Sequence, residues 1–209
     1  MFSVKEIYDF WGRFPLLYRL ACFFFFLMHQ HFIRTRAARF FREQRGRYME
    51  VCCGPGVNIP YLTSGKNGGS STWFFLDQSE LMLKSFRRHN KNSIYNNKLI
   101  RADISHLPFL AETFDGIFCS LGLSVISNFE LAIGELWDKI KPGGRLVIMD
   151  VKPFSGRLSF INPIILPIIV AMTGWNLTCN VDEVISRLLP IRLREDYLGG
   201  ALYIVVAEK

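Results

Sequence analysis

Between residues 47 and 151 short apolar runs alternate with helix-like stretches, and this rhythm restricts the chain more than any other feature. "RYMEVC" (47–52) leads into the glycine loop "EVCCGPG" (50–56), and "STWFFLD" (71–77) follows a Gly/Ser/Asn-rich turn at 64–71. "KLIRAD" (98–103), "FDGIFCS" (114–120) and "RLVIMDV" (145–151) complete the set of five. "SELMLKSFRRH" opens on Ser79 as a helix N-cap and spaces Leu81, Leu83 and Phe86 as one helix does. "NFELAIGELWDKI" (128–140) reads as an amphipathic helix stopped by the turn "KPGG". Strand and helix alternating in such short units predict an α/β fold, a mostly parallel sheet with helices on both faces. In the tail, "IRLREDYLGGALYIVVAEK" sets two strand-like runs around Gly199-Gly200, a hairpin signal. The expected sheet is therefore seven-stranded, with an antiparallel last strand.

Three readings compete for "EVCCGPG": a metal or redox site on Cys52 and Cys53, a phosphate loop, or a glycine loop in which the cysteines are incidental. Adjacent cysteines make a poor zinc half-site, since ligands are usually two to four residues apart. The chain has five cysteines and four histidines, without framework spacing, so no metal is expected and the compartment reads as reducing. The loop lacks the Lys-Ser/Thr of a nucleoside-triphosphate loop, and it is not G-x-G-x-x-G. It does sit where a strand ends and a helix begins, the edge at which open parallel sheets bind ligands. Asp77 ends the second strand, 21 residues after Gly56, where a carboxylate can accept both hydroxyls of a ribose. Asp103 ends the third, where it can accept from an adenine amino group. Glycine loop, ribose acid and adenine acid in this order describe an adenosine ligand.

These stretches resemble the class I S-adenosylmethionine-dependent methyltransferases over roughly residues 45–209. "YMEVCCGPG", "FFLDQSELML", "RADISHLPFLAETFDGIFCSLGLSVI" and "LWDKIKPGGRLVIMDVKP" look like that family's successive motifs, in order. The resemblance implies a Rossmann-like methyltransferase fold with S-adenosyl-L-methionine as cofactor. It implies that Glu50 holds the cofactor's amino group and that Gly54 and Gly56 allow close backbone approach. Asp77 would take the ribose, with Gln78 and Met82 beside the adenosine. Asp103 and Ile104 would address the adenine, and Ser120 the reacting end. The family's first loop glycine falls on Cys52, and the resemblance implies that a side chain there would crowd the methionine portion of the cofactor. That departure keeps open a non-catalytic, lipid-associated protein that retains the fold.

The remaining expectations concern the acceptor. Residues 1–46 differ in composition and read as a basic, aromatic helical cover on a methyltransferase domain at 47–209. Residues 1–47 carry nine basic and three acidic side chains, nearly the whole excess of a chain whose net charge is +7. Five arginines from Arg34 to Arg45 follow the run Phe23–Phe26, and a second apolar run, Ile161–Met172, contains Pro163 and Pro167. Neither run is expected to cross a bilayer. An apolar run beside arginines suits an anionic membrane surface. The expected location is thus cytoplasmic, peripheral to the inner face of a membrane, with a lipid as acceptor. Nucleic acid fits less well, because the aromatics are not interleaved with the basic residues. By resemblance the leading acceptor is phosphatidylethanolamine, methylated on nitrogen toward phosphatidylcholine; quinone-biosynthesis C-methylation is the alternative. Arg157 would meet a lipid phosphate. Tyr8 and Tyr18 are the catalytic candidates, with packing on an amphipathic helix as their other reading.

Overall fold

The computed structural model describes residues 4–14, 16–17, 20–21, 30–41, 45–63, 71–91, 98–175 and 180–209. Seven strands form one sheet: β1 (Arg47–Val51), β2 (Thr72–Asp77), β3 (Leu99–Arg101), β4 (Phe114–Ser120), β5 (Ile140–Val151), β6 (Ile191–Tyr197) and β7 (Leu202–Glu208). Their order is β3-β2-β1-β4-β5-β7-β6. The first five pair in parallel, and β7 lies antiparallel between β5 and β6. The chain reverses its direction of travel across the sheet between β1 and β4, so the crevice for a ligand opens at the carboxyl ends of those strands.

Side chains alternate strictly between two cores, as the two-residue period of a strand requires. In β7, Leu202, Ile204 and Val206 face one core, while Tyr203, Val205 and Ala207 face the other. The first core is covered by α2 (Gln30–Ala38), the short α3 (Ile59–Leu62) and α4 (Glu80–His89). The second is covered by α5 (Phe129–Asp138) and α7 (Val181–Leu188), through Ile133, Leu136, Val184 and Ile185. Ser79 caps α4, accepting from the Met82 amide at 3.2 Å. Left-handed Leu198, Gly199 and Gly200 make the turn before β7.

The change in composition near residue 47 is not a packing border. Ile33, Ala37, Ala38 and Phe41 are buried in the same core as Trp73 and Phe118. The Phe41 ring meets Tyr48 and Trp73 edge-on, each at 5.4 Å between centroids.

Two local expectations change. "KPGG" does not end before a new strand; β5 already begins at Ile140 and carries the glycines as an irregularity in its pairing with β4. Gly143 N donates to Lys209 O at 2.6 Å, and Lys209 N to Gly144 O at 3.0 Å. A partner at the far end of the sequence thus overrides the local turn signal. The arginine cluster is also largely used inside the molecule. Arg34 is buried, and Arg36 and Arg39 share Glu195 of β6, with Arg36 Nε 2.8 Å from Oε2 and Arg39 Nη2 3.2 Å from Oε1. Arg42 and the Phe23–Phe26 run lie outside the described residues.

Candidate active site

The glycine loop after β1 bends through three left-handed residues, Cys52 (φ 55°), Gly54 (φ 53°) and Gly56 (φ 79°). Glycine adopts that conformation without penalty; cysteine does so at a cost. Asp77 ties the loop down: Gly54 N donates to its Oδ2 and Ser79 N to its Oδ1, both at 2.8 Å. Burial pushes the Asp77 carboxyl upward in pKa, and these amides oppose that shift. Each carboxylate oxygen has two acceptor sites, so both oxygens can still accept from a pair of hydroxyls.

A cavity of about 670 Å³ opens here, a size that suits a nucleoside-containing ligand. Among the expected residues, Gly54, Asp77, Gln78, Met82, Asp103, Ile104, Ser120 and Tyr8 all line it. Buried Leu76, Met82 and Ile104 supply apolar surface for a base, beside the carboxylates. Asp103 Oδ1 accepts from Ser105 N at 2.8 Å, which fixes the turn after β3.

Glu50 sits behind the loop rather than in its lining, fully buried. Its Oε1 accepts from Asn58 Nδ2 at 2.6 Å, and Asn58 Oδ1 accepts in turn from the Arg34 guanidinium. Its Oε2 is buried without a partner. Burial lifts the Glu50 pKa to about 8, against the Asn58 hydrogen bond and the Arg34 charge. A buried orphan acceptor is costly unless something donates to it. A ligand ammonium fits that deficit, and the fit covers the rest of the cofactor as well: hydroxyl acceptors, an apolar base site and a loop that approaches closely.

Other expected residues stand elsewhere. Gly56 lies outside the lining; a Cβ there would fall 2.7 Å from the Phe86 ring, so this glycine seats the loop on α4. Arg157 is exposed and does not line the cavity. Tyr18 lies outside the described residues.

The two loop cysteines are free thiols held toward the protonated form. Burial raises the Cys53 thiol pKa well above its usual value. A hydrogen bond with Cys119, and then burial, does the same for Cys52. Cys52 Sγ fills the space that a side chain at Gly122 would need.

Two residues at the site, Asp9 and Asn58, escaped the sequence reading, and a third, Asp150, is the acid that ends the fifth strand. Asp9 of α1 (Val4–Arg13) lines the cavity and accepts from Ser79 Oγ at 3.1 Å. Asn58 follows Glu50 by eight residues, and its polar side chain at the loop's end was the one available signal. Asp150, buried at the end of β5, accepts from Ser124 Oγ at 2.7 Å and from Ser124 N at 3.1 Å. It thereby anchors the 121–125 turn, whose Leu121, Gly122 and Val125 line the cavity. Burial raises its pKa to about 6.

Residues 49–148 match the family described as Methyltransferase domain. A demethylmenaquinone methyltransferase of Listeria welshimeri is 29% identical over 119 residues, covering 56% of this chain and 50% of the relative. A phthiotriol/phenolphthiotriol dimycocerosates methyltransferase of Mycobacterium ulcerans is 31% identical over 107 residues, covering 51% and 38%. The chain thus spans about half the length of the curated relatives it matches, or less. A crystal structure of an S-adenosylmethionine-dependent methyltransferase from Aquifex aeolicus superposes with a TM-score of 0.61 at 17% identity, over 83% of this chain and 88% of that one. The stretch 49–148 is a methyltransferase domain of the class I S-adenosylmethionine-dependent kind, and its cofactor is S-adenosyl-L-methionine.

Proposed function

We propose that this S-adenosylmethionine-dependent methyltransferase transfers its methyl group to a lipophilic acceptor, in first place the ring carbon of a prenylated quinol. The observation that carries this reading is the border of the cavity. Tyr8 and Asp9 of α1 stand on one side, and Gly174 stands at the end of the apolar helix α6 (Asn162–Thr173). The similarity to a demethylmenaquinone methyltransferase and to a phthiotriol/phenolphthiotriol dimycocerosates methyltransferase supports a lipophilic acceptor. It favours the quinone alternative over the phospholipid expectation.

The cofactor supplies an electrophilic methyl group on a sulfonium. The chain's own residues bind and orient. Asp77 would hold the ribose hydroxyls, Asp103 and Ile104 the adenine, and Glu50 the ammonium. Gly54 keeps the loop close. Ser120, with Leu121 and Gly122, lines the cavity near the carboxyl end of β4. A quinol ring becomes nucleophilic as its hydroxyl loses a proton, and the Asp9 carboxylate is placed to accept it, with Tyr8 beside it. Positioning and exclusion of water carry most of the rate in such a transfer.

A second reading, methylation of a phospholipid amine, is favoured by Arg157. This exposed cation sits in an otherwise uncharged segment, where it suits a phosphate. Membrane association belongs to both readings.

The test is incubation with methyl-labelled S-adenosylmethionine and either demethylmenaquinol or phosphatidylethanolamine in mixed micelles. Label in the quinol is expected. Label in the phospholipid alone would establish the second reading, and label in neither would overturn the lipophilic acceptor.

A further inference from the structure

Helix α6 is built the wrong way round for a helix on a protein facing water. Its outward stripe is Pro163, Ile164, Pro167, Ile168, Ala171 and Met172, all exposed. Leu166, Ile169 and Val170 face inward and pack on the core. A surface helix normally turns polar residues outward. Here Ile164 is 73% and Ile168 56% exposed, and Phe160 of the preceding 3-10 turn is 73% exposed. The patch continues onto α1: Trp11 Nε1 donates to Met172 O at 2.7 Å, and beyond it Phe10 and Phe14 are exposed. Contiguous apolar surface of this kind marks an interaction site.

Charge points to what covers it. From residue 153 to 181 there is no acidic side chain, and the single charge is Arg157. Arg157 and Arg13, both exposed, flank the patch. An apolar stripe with a cationic rim complements a phospholipid surface. The stretch Gly156–Thr173 is long and apolar enough, by length and composition, to cross a membrane. However, one side of α6 is packed on the domain and Pro167 interrupts it, so it lies along the body. With Arg34, Arg36 and Arg39 engaged internally, attraction to lipid rests mainly on apolar insertion.

We infer that the α1–α6 face, centred on Phe160, Ile164 and Ile168, seats the protein on a lipid bilayer, with the mouth of the cavity at that surface. Tyr8 and Asp9 of α1 and Gly174, directly after α6, line the cavity on the same two elements that carry this face, so an acceptor dissolved in the bilayer would reach the site without crossing water. The seat deepens the lipophilic-acceptor reading and rests on it for the entry route only; lipid binding itself is separate from turnover.

The experiment is co-flotation with phosphatidylcholine vesicles, and with vesicles of equal parts phosphatidylcholine and phosphatidylglycerol, at low and high salt. Wild type is compared with the double variant Ile164→Asp/Ile168→Asp. Both sites are exposed, so S-adenosylhomocysteine binding in the variant checks that the fold is intact. Wild type is expected to float with both vesicles, somewhat more with the anionic ones, and to keep most of its binding in high salt. The double variant is expected to lose about tenfold or more in partitioning. Equal flotation of variant and wild type would overturn the seat, as would binding by wild type to anionic vesicles alone that salt abolishes. Wild type that does not float but sediments as a dimer, with a monomeric variant, would assign the face to a second copy instead. Flotation without transfer to any lipid would leave the seat standing and remove the acceptor reading.

Discussion

Asn58 Nδ2 lies 2.6 Å from Glu50 Oε1, and through Asn58 the buried Arg34 of α2 reaches the acid behind the glycine loop. Glu50 is held near a guanidinium, yet burial still lifts its pKa to about 8, and its second oxygen is orphaned. At neutral pH the free protein therefore keeps Glu50 largely protonated. A bound ligand ammonium would reverse that and expel the proton. Calorimetry of S-adenosylhomocysteine binding at pH 7, in buffers of different ionisation enthalpy, is expected to show release of about one proton. The Glu50→Gln variant should show none. Heat independent of buffer in the wild type would remove Glu50 from the ammonium site.

The same acid shapes stability in the absence of ligand. Its folded pKa, about 8, stands above the ordinary 4.5, so its contribution is fully present below 4.5 and is lost as pH rises through about 8. Asp150 acts in the same direction between 3.8 and about 6. Asp115, Glu195 and Asp196 have depressed pKa values, so their contribution is lost only as acid takes the pH below the ordinary carboxylate range. Urea unfolding without ligand is expected to show stability falling from pH 5 to pH 8, by up to about 1.4 kcal/mol per pH unit for Glu50. Glu50→Gln should flatten most of that slope. Parallel profiles for the two proteins would contradict the assignment.

Cys52 and Gly122 occupy one space. A methyl group at Gly122 collides with Cys52 Sγ, so Gly122→Ala is expected to cost about 1–3 kcal/mol. Cys52→Gly relieves both the collision and a left-handed cysteine, and in that background Gly122→Ala should cost much less. Thermal melts of the four proteins check this. Additive effects would show that the two residues do not compete.

Much of this arrangement was legible before any coordinates. Glu50, Asp77 and Asp103 end apolar runs, and strand-end acids after a glycine loop are a local pattern with one dominant use. The Ser79 cap and the Gly199-Gly200 turn are local too. What escaped was non-local. The strand through Gly143 and Gly144 depends on Lys209, and the environment of Glu50 on Arg34 from another helix. Asp9 reaches the cavity only because α1 packs against α4, which no periodicity reveals. The apolar run at 161–172 has no polar stripe in its sequence to show how it lies, and only its packed inner face and exposed outer stripe do so.

The central claim is that the cavity between Gly54, Asp77 and Asp103 holds the adenosyl cofactor, and titration calorimetry with S-adenosylhomocysteine tests it most directly. Asp77 would contribute two charge-assisted hydrogen bonds to the ribose while fixing Gly54, so Asp77→Ala should weaken binding on the order of 100-fold in a protein that still melts cooperatively. Equal affinity in the folded variant and the wild type would place the cofactor elsewhere and contradict the account.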